Sequence, residues 1–159
     1  MILTGAAIVG GLFYVLKKDK TVEEPPKQEV PKSTGLQLQA YERLTLLVDR
    51  IAIPNLIGRT GTDGLSAREM QFILTKTVRD EFDYNITQQI YVSAEVWLAV
   101  KNLKEKNLLF INQAATTLPA NATGFDLSRR LLEQLVTDKL AELPELVNQA
   151  LSYEAKKFL

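Results

Sequence analysis

Neither cysteine nor histidine occurs among the 159 residues of the chain. The first absence excludes a disulfide framework, a thiolate nucleophile, a lipid-modified cysteine and a cysteine-built zinc site. The second removes the usual neutral-pH general base and the commonest transition-metal ligand. Carboxylates and lysines could still catalyse, but no cofactor is expected. An excess of either charge is lacking too, since Lys plus Arg and Asp plus Glu number 19 each. A phosphate-binding surface needs basic residues in excess to displace counterions, so no nucleic acid is expected as a partner. Alternating apolar and polar residues are scarce as well. ITQQIYVS (residues 86–93) comes nearest to a strand and is short.

What is present is an ordinary folded-domain composition, 46% apolar and 24% charged, on a chain long enough for one core and an appendage. The appendage opens the sequence. MILTGAAIVGGLFYVLKKDK carries no charge from Met1 to Leu16, and then Lys17, Lys18 and Lys20 follow at once. As a helix the apolar part spans roughly 24 Å against a hydrocarbon core of ~30 Å, and lysine stems extend its reach. A cleaved export signal would place positive charge before the apolar run and small residues after it. Residues 1–18 are therefore expected to form a transmembrane anchor that takes the lipid bilayer as a partner. The lysines stay on the cytoplasmic side, which puts the body of a single-pass bacterial inner-membrane protein inside the cell. Ala6 and Gly10, with Ala7 and Gly11, repeat small residues four apart, a spacing that lets membrane helices approach closely.

DKTVEEPPKQEVPKST (residues 19–34) holds three prolines among charges. It reads as an extended spacer reaching at most about 50 Å. Helical periodicity starts at Gly35, and residues 35–159 read as an antiparallel bundle of four to five helices, all-α in class. Tyr41, Leu44, Leu47, Val48 and Ile51 make the first stripe, which Pro54 ends. PNLIGRTGTDG (residues 54–64) reads as a loop. Ser66 and Glu69 form a capping-box pattern ahead of Met70, Ile73, Leu74, Thr77, Val78 and Phe82. After a break at 85–92, Ser93 caps a helix over 94–118 with Val96, Val100, Leu103, Asn107, Phe110 and Ala114 in register. Thr123 caps a fourth helix running through Leu127, Leu131, Leu132, Leu135, Val136 and Leu140. Pro144 starts a last helix whose face is Leu146, Val147, Ala150, Leu151 and Phe158.

Motifs that carry chemistry are few. GRTGTDG (58–64) lacks the preceding strand and the closing Lys-Ser/Thr of a phosphate-binding loop. Asp80, Glu81 and Asp83 offer oxygen ligands, but without the alternate spacing and glycine of a calcium loop they read as a solvated acidic face. Acids at a helix C-terminus oppose its dipole, and Arg79 is the expected compensator. Arg129 and Arg130 read as a solvated basic pair. Asn107 within an apolar seam either fixes register by pairing with a polar group or meets water at the bundle edge. Tyr91 and Trp97, with Asn107, are the candidate interaction residues, although aromatics at such spacing more often belong to a core.

Gln39-Ala40-Tyr41-Glu42-Arg43, Asn55-Leu56, Glu81-Phe82, Gln88-Gln89, Tyr91-Val92-Ser93 and Leu118-Pro119 together resemble an uncharacterised family of small membrane-anchored helical proteins of the Bacteroidetes. The likeness covers Leu36 to Leu143. It implies an anchor, a charged spacer and a cytoplasmic helical domain, and it carries no catalytic residue.

The expected function is a non-enzymatic, membrane-tethered interaction module, an accessory or scaffold subunit bound to one or more proteins of a larger inner-membrane complex. One alternative is a carboxylate- or metal-dependent enzyme at the membrane surface, built on Asp80, Glu81 and Asp83. Another is a structural homo-oligomer joined through the small-residue face of the anchor and the Asn107 seam.

Overall fold

Apolar residues three and four apart create the first helix, α1 (Thr34–Ile51), by burying Tyr41, Leu44, Leu47, Val48 and Ile51 along one stripe. The computed structural model describes residues 34–159. The anchor read at 1–18, with Ala6, Ala7, Gly10 and Gly11, lies outside the described residues, as does the spacer apart from Thr34, which opens α1.

The chain turns at Ala52 and restarts as α2 (Ile53–Thr60), with Pro54 in its first turn. This corrects the loop expected over 54–64. Proline breaks a helix where its ring meets a preceding turn, but in the first turn its missing N–H would have had no acceptor. Leu56 and Ile57 are buried as a result. Gly61 then ends the helix at φ 71°, a left-handed conformation that side chains resist.

Ser66 and Glu69 form the expected capping box at the start of α3 (Ala67–Tyr84). The Glu69 N–H donates to Ser66 Oγ at 3.2 Å, and the Ser66 N–H donates to Glu69 Oε2 at 2.9 Å. A 3₁₀ turn at Ile86–Ile90 fills the expected break, and Ser93 caps α4 (Ala94–Thr116). Thr123 caps α5 (Gly124–Leu135) with a second box completed by Asp126.

The starts of α3 and α5 are joined through their backbones. The Ala67 N–H donates to the Ala122 carbonyl at 2.9 Å, and the Gly124 N–H donates to the Leu65 carbonyl at 2.7 Å. A side chain on residue 124 would place its Cβ 3.1 Å from that of Leu65, so only glycine fits without displacement.

α5 ends at Leu135, which corrects the helix expected through Leu140. Asp138 accepts a hydrogen bond from the Leu140 N–H at 2.7 Å and starts a 3₁₀ turn over Lys139–Ala141. Leu140 is buried from that turn, whereas Leu132 and Val136, expected to face the core, are exposed, Val136 at 84%. α6 (Leu143–Ala155) has Pro144 in its first turn and buries Val147 and Leu151. Leu146, also expected in its face, is exposed.

The described residues thus hold six α-helices rather than four to five, and no strand. Cross-helix contacts give their directions. Arg50 meets Glu81 and Arg43 meets Asn85, so α1 and α3 are antiparallel. Gln71 donates to Asn112 at 2.8 Å, and the Phe82 and Trp97 rings lie 5.1 Å apart, so α3 and α4 are antiparallel. Tyr41 meets Glu154 and Asp49 meets Asn148, which sets α6 antiparallel to α1. Leu44, Leu74, Leu103, Ile111, Leu127 and Leu131 fill the space between. Among the described residues no helix is long and apolar enough to cross a membrane.

Candidate functional site

Arg43 and Arg50 lie seven residues apart on α1, two helical turns, and therefore share one side of it. The antiparallel α3 brings Thr77, Asp80, Glu81 and Tyr84 opposite them. Between the two helices lies a groove of about 660 Å³, with Leu46 and Leu47 on the α1 wall and Asn85 at one end.

Glu81 organises this groove. Its Oε1 accepts from Arg50 Nε at 2.8 Å and Nη2 at 2.5 Å, and from Arg59 Nη1 at 3.4 Å. Arg59 also donates to the Arg50 carbonyl oxygen at 2.6 Å. One carboxylate thus ties α1, α2 and α3 together. The hydrogen bond from Arg50 holds the Glu81 carboxyl below the usual carboxylate range, against the opposing effect of burial, and it raises the pKa of Arg50.

Arg43 is placed differently. Its Nε donates to Asn85 Oδ1 at 3.4 Å, and its guanidinium stands 5.3 Å from the centre of the Tyr84 ring. Asn85 is buried and fixed by donating to the Glu81 carbonyl at 2.9 Å. Among the described residues Arg43 has no carboxylate partner. Beside it Tyr84 is 77% exposed and Leu46 58% exposed. Arginine, tyrosine and leucine around a groove can bind an apolar segment and orient one of its carboxylates by charge-assisted hydrogen bonds.

The acidic residues singled out in the sequence do not converge. Glu81 faces Arg50 and Arg59, Asp80 pairs with Lys76 on its own helix, and Asp83 is exposed. Among the described residues no group of three histidine, cysteine, aspartate or glutamate side chains is placed to share an ion. The cations that compensate Glu81 are Arg50 and Arg59, not Arg79.

The three candidate interaction residues lie elsewhere. Asn107 is 1% exposed and donates to the Ile51 carbonyl oxygen at 2.7 Å, so its polar partner is within the chain. Trp97 is half-buried against Phe82, whose ring also lies 4.6 Å from Lys104 Nζ. Tyr91 is half-buried near the start of α1. Arg129 pairs with Asp126 and Glu133, while Arg130 is half-buried. The sequence reading missed Arg43, Arg50 and Tyr84, although the two-turn spacing of the arginines around the off-stripe Leu46 was there to be read.

No curated protein and no solved structure matches the chain. A family model described as Family of unknown function (DUF7935) matches residues 1–158.

Proposed function

We propose, for a chain that belongs to this family of unknown function, a membrane-tethered interaction module whose α1–α3 groove docks a segment of a neighbouring membrane-complex protein. The segment is amphipathic, with apolar side chains for Leu46 and Tyr84 and a carboxylate for Arg43. One observation carries this reading: among the described residues Arg43 has no acidic partner, and it stands in an open groove beside the exposed side chains of Leu46 and Tyr84.

Tethering is supported by the uncharged run from Met1 to Leu16 and by the lysines that follow it. On that reading the domain faces the cytoplasm from the bacterial inner membrane, bound to lipid through residues 1–18. A tether of this length holds it at an effective concentration on the order of mM for partners in the same membrane. An accessory or scaffold subunit needs no more than this.

The test is affinity capture of the full tagged chain from its native membranes in mild detergent, with mass spectrometry of what accompanies it. A stoichiometric membrane protein should co-purify with the wild-type chain and be lost from Arg43→Glu and Leu46→Asp. Leu46 is exposed and Arg43 half-buried, and an unchanged helical circular dichroism spectrum would show that each variant is folded. Identical companions for all three chains, or none for any, would sink the proposal.

A further inference from the structure

Where α1 passes into α2, and α5 through its 3₁₀ turn into α6, the chain surrounds a second cavity that shares no residue with the α1–α3 groove. It holds about 360 Å³. That is more than ten times the ~30 Å³ share of one water molecule and within the ~300–1,000 Å³ range of small-ligand pockets. Ile53, Leu135 and Leu140 are buried in its wall, and Asp49 and Glu145 stand exposed at its rim. Asn107, only 1% exposed, lies at its floor, with the half-buried Asn148 beside the rim.

The two asparagines present the cavity with acceptors that have nothing to accept. Asn107 Nδ2 donates to the Ile51 carbonyl oxygen at 2.7 Å, and Asn148 Nδ2 donates to Asp49 Oδ1 at 2.9 Å. An amide whose nitrogen meets an acceptor has its oxygen assigned by that contact. Both amide oxygens are buried, and among the described residues neither has a hydrogen-bond partner. Buried acceptors are paired as a rule, so two orphans on one cavity point to a donor that enters it. The ionisable groups at the rim are carboxylates, and among the described residues no lysine or arginine lines the cavity. Two helices end here and two begin, so their dipoles largely offset, and Pro54 and Pro144 each withhold one N–H from the starts.

We infer that this cavity binds an aliphatic diamine as its dication. One ammonium group donates to Asn107 Oδ1 and Asn148 Oδ1, and the other meets Asp49 and Glu145 at the rim. The methylene stem lies along Ile53, Leu135 and Leu140. Charge-assisted hydrogen bonds of this kind are the strong ones, and an ammonium group offers three donors and no acceptor. A calcium or magnesium ion is a poorer match. It calls for about six or more oxygens, and among the described residues no three acidic side chains converge on one point. An anion would meet acceptors alone.

The test uses the full chain in nonionic detergent, labelled with nitrogen-15 at asparagine, and reads the side-chain amide resonances of Asn107 and Asn148. The probe is 1,4-diaminobutane near neutral pH, beside butylamine, butane-1,4-diol and magnesium chloride. The diamine should shift both amides saturably. Butylamine should bind about ten-fold more weakly, the loss of one charge-assisted hydrogen bond, and the diol and magnesium should leave both amides in place. Asp49→Asn/Glu145→Gln changes exposed positions only and should weaken the diamine by about ten-fold or more. Asp63→Asn/Glu95→Gln, two exposed acids outside the cavity, should not weaken it. Amides unmoved by the diamine at high millimolar concentration would overturn the inference. So would equal affinity for butylamine, a matching response to magnesium, which marks an inorganic cation site, or equal weakening in the two double variants, which marks diffuse attraction to the surface.

Discussion

Asn107 reaches from the middle of α4 to the last residue of α1 and donates from Nδ2 to the carbonyl oxygen of Ile51, 2.7 Å away, where the chain breaks into α2. The bond lies in a nearly water-free environment, since Asn107 is buried and Ile51 lies in the core. Replacing Asn107 with leucine removes the only donor the side chain offers that carbonyl. A buried group deprived of its partner costs about 1–3 kcal/mol. Asn107→Asp should cost more, because it buries a charge against an acceptor. Urea unfolding should show both midpoints lowered at unchanged slope, with the aspartate variant the lower.

Glu81 links acid sensitivity to the groove. Its folded pKa is depressed, so it adds stability above its unfolded value, roughly 4.3, which is lost as pH falls through the lower folded value. Glu81→Gln should lose about 1 kcal/mol at neutral pH, a figure discounted because Arg50 is partly exposed. The variant should also show a shallower loss of stability on acidification. Unfolding midpoints at neutral pH and through the acid range would check both.

Tyr41 behaves in the opposite sense. Burial, and then its hydrogen bond to Glu154, push the phenol up to about 12. A raised pKa means that the stability it confers is complete below the unfolded value of about 10 and lost as pH rises toward the folded one. Tyr41→Phe removes a hydrogen bond worth about 1 kcal/mol and leaves Glu154 with Ser93 alone. The variant should be less stable at neutral pH and decline less on alkaline titration, as followed by the helical signal.

Two helical glycines should respond to alanine with opposite signs. A Cβ at Gly58, on α2, meets nothing within 4 Å, so Gly58→Ala should stabilise by about 0.5–1 kcal/mol through the unfolded chain. At Gly124 the added atom lies 3.1 Å from Leu65 Cβ and 3.3 Å from the Leu65 carbonyl oxygen, so Gly124→Ala should destabilise. Thermal midpoints of the two variants would show the contrast.

Much of the fold was legible because its signals are local. Ser66, Ser93 and Thr123 were readable as caps, since a capping hydrogen bond spans three residues. α2 was hidden because Pro54 and the following glycines resemble a terminator, although proline is also suited to a first turn. The end of α5 was hidden because Leu132, Leu135, Val136 and Leu140 continue a helical spacing that Asp138 interrupts with a single capping bond. The groove was the least legible feature. Arg43 and Asn85 are 42 residues apart, and Arg50 and Glu81 31 apart, so their meeting depends on how α1 and α3 pack.

The seam between the starts of α3 and α5 differs in kind from those side-chain contacts. Its donors and acceptors are the amides of Ala67 and Gly124 and the carbonyls of Ala122 and Leu65, groups that belong to the main chain. Every amino acid except proline carries both. Over evolutionary drift, residues around this join can change identity without dissolving it, provided that 67 never becomes proline and 124 stays glycine. The Arg50–Glu81 and Tyr41–Glu154 contacts have no such tolerance, since one substitution ends either. The seam itself is therefore indifferent to most side-chain changes, even though the capping residues Ser66, Glu69, Thr123 and Asp126 beside it are not.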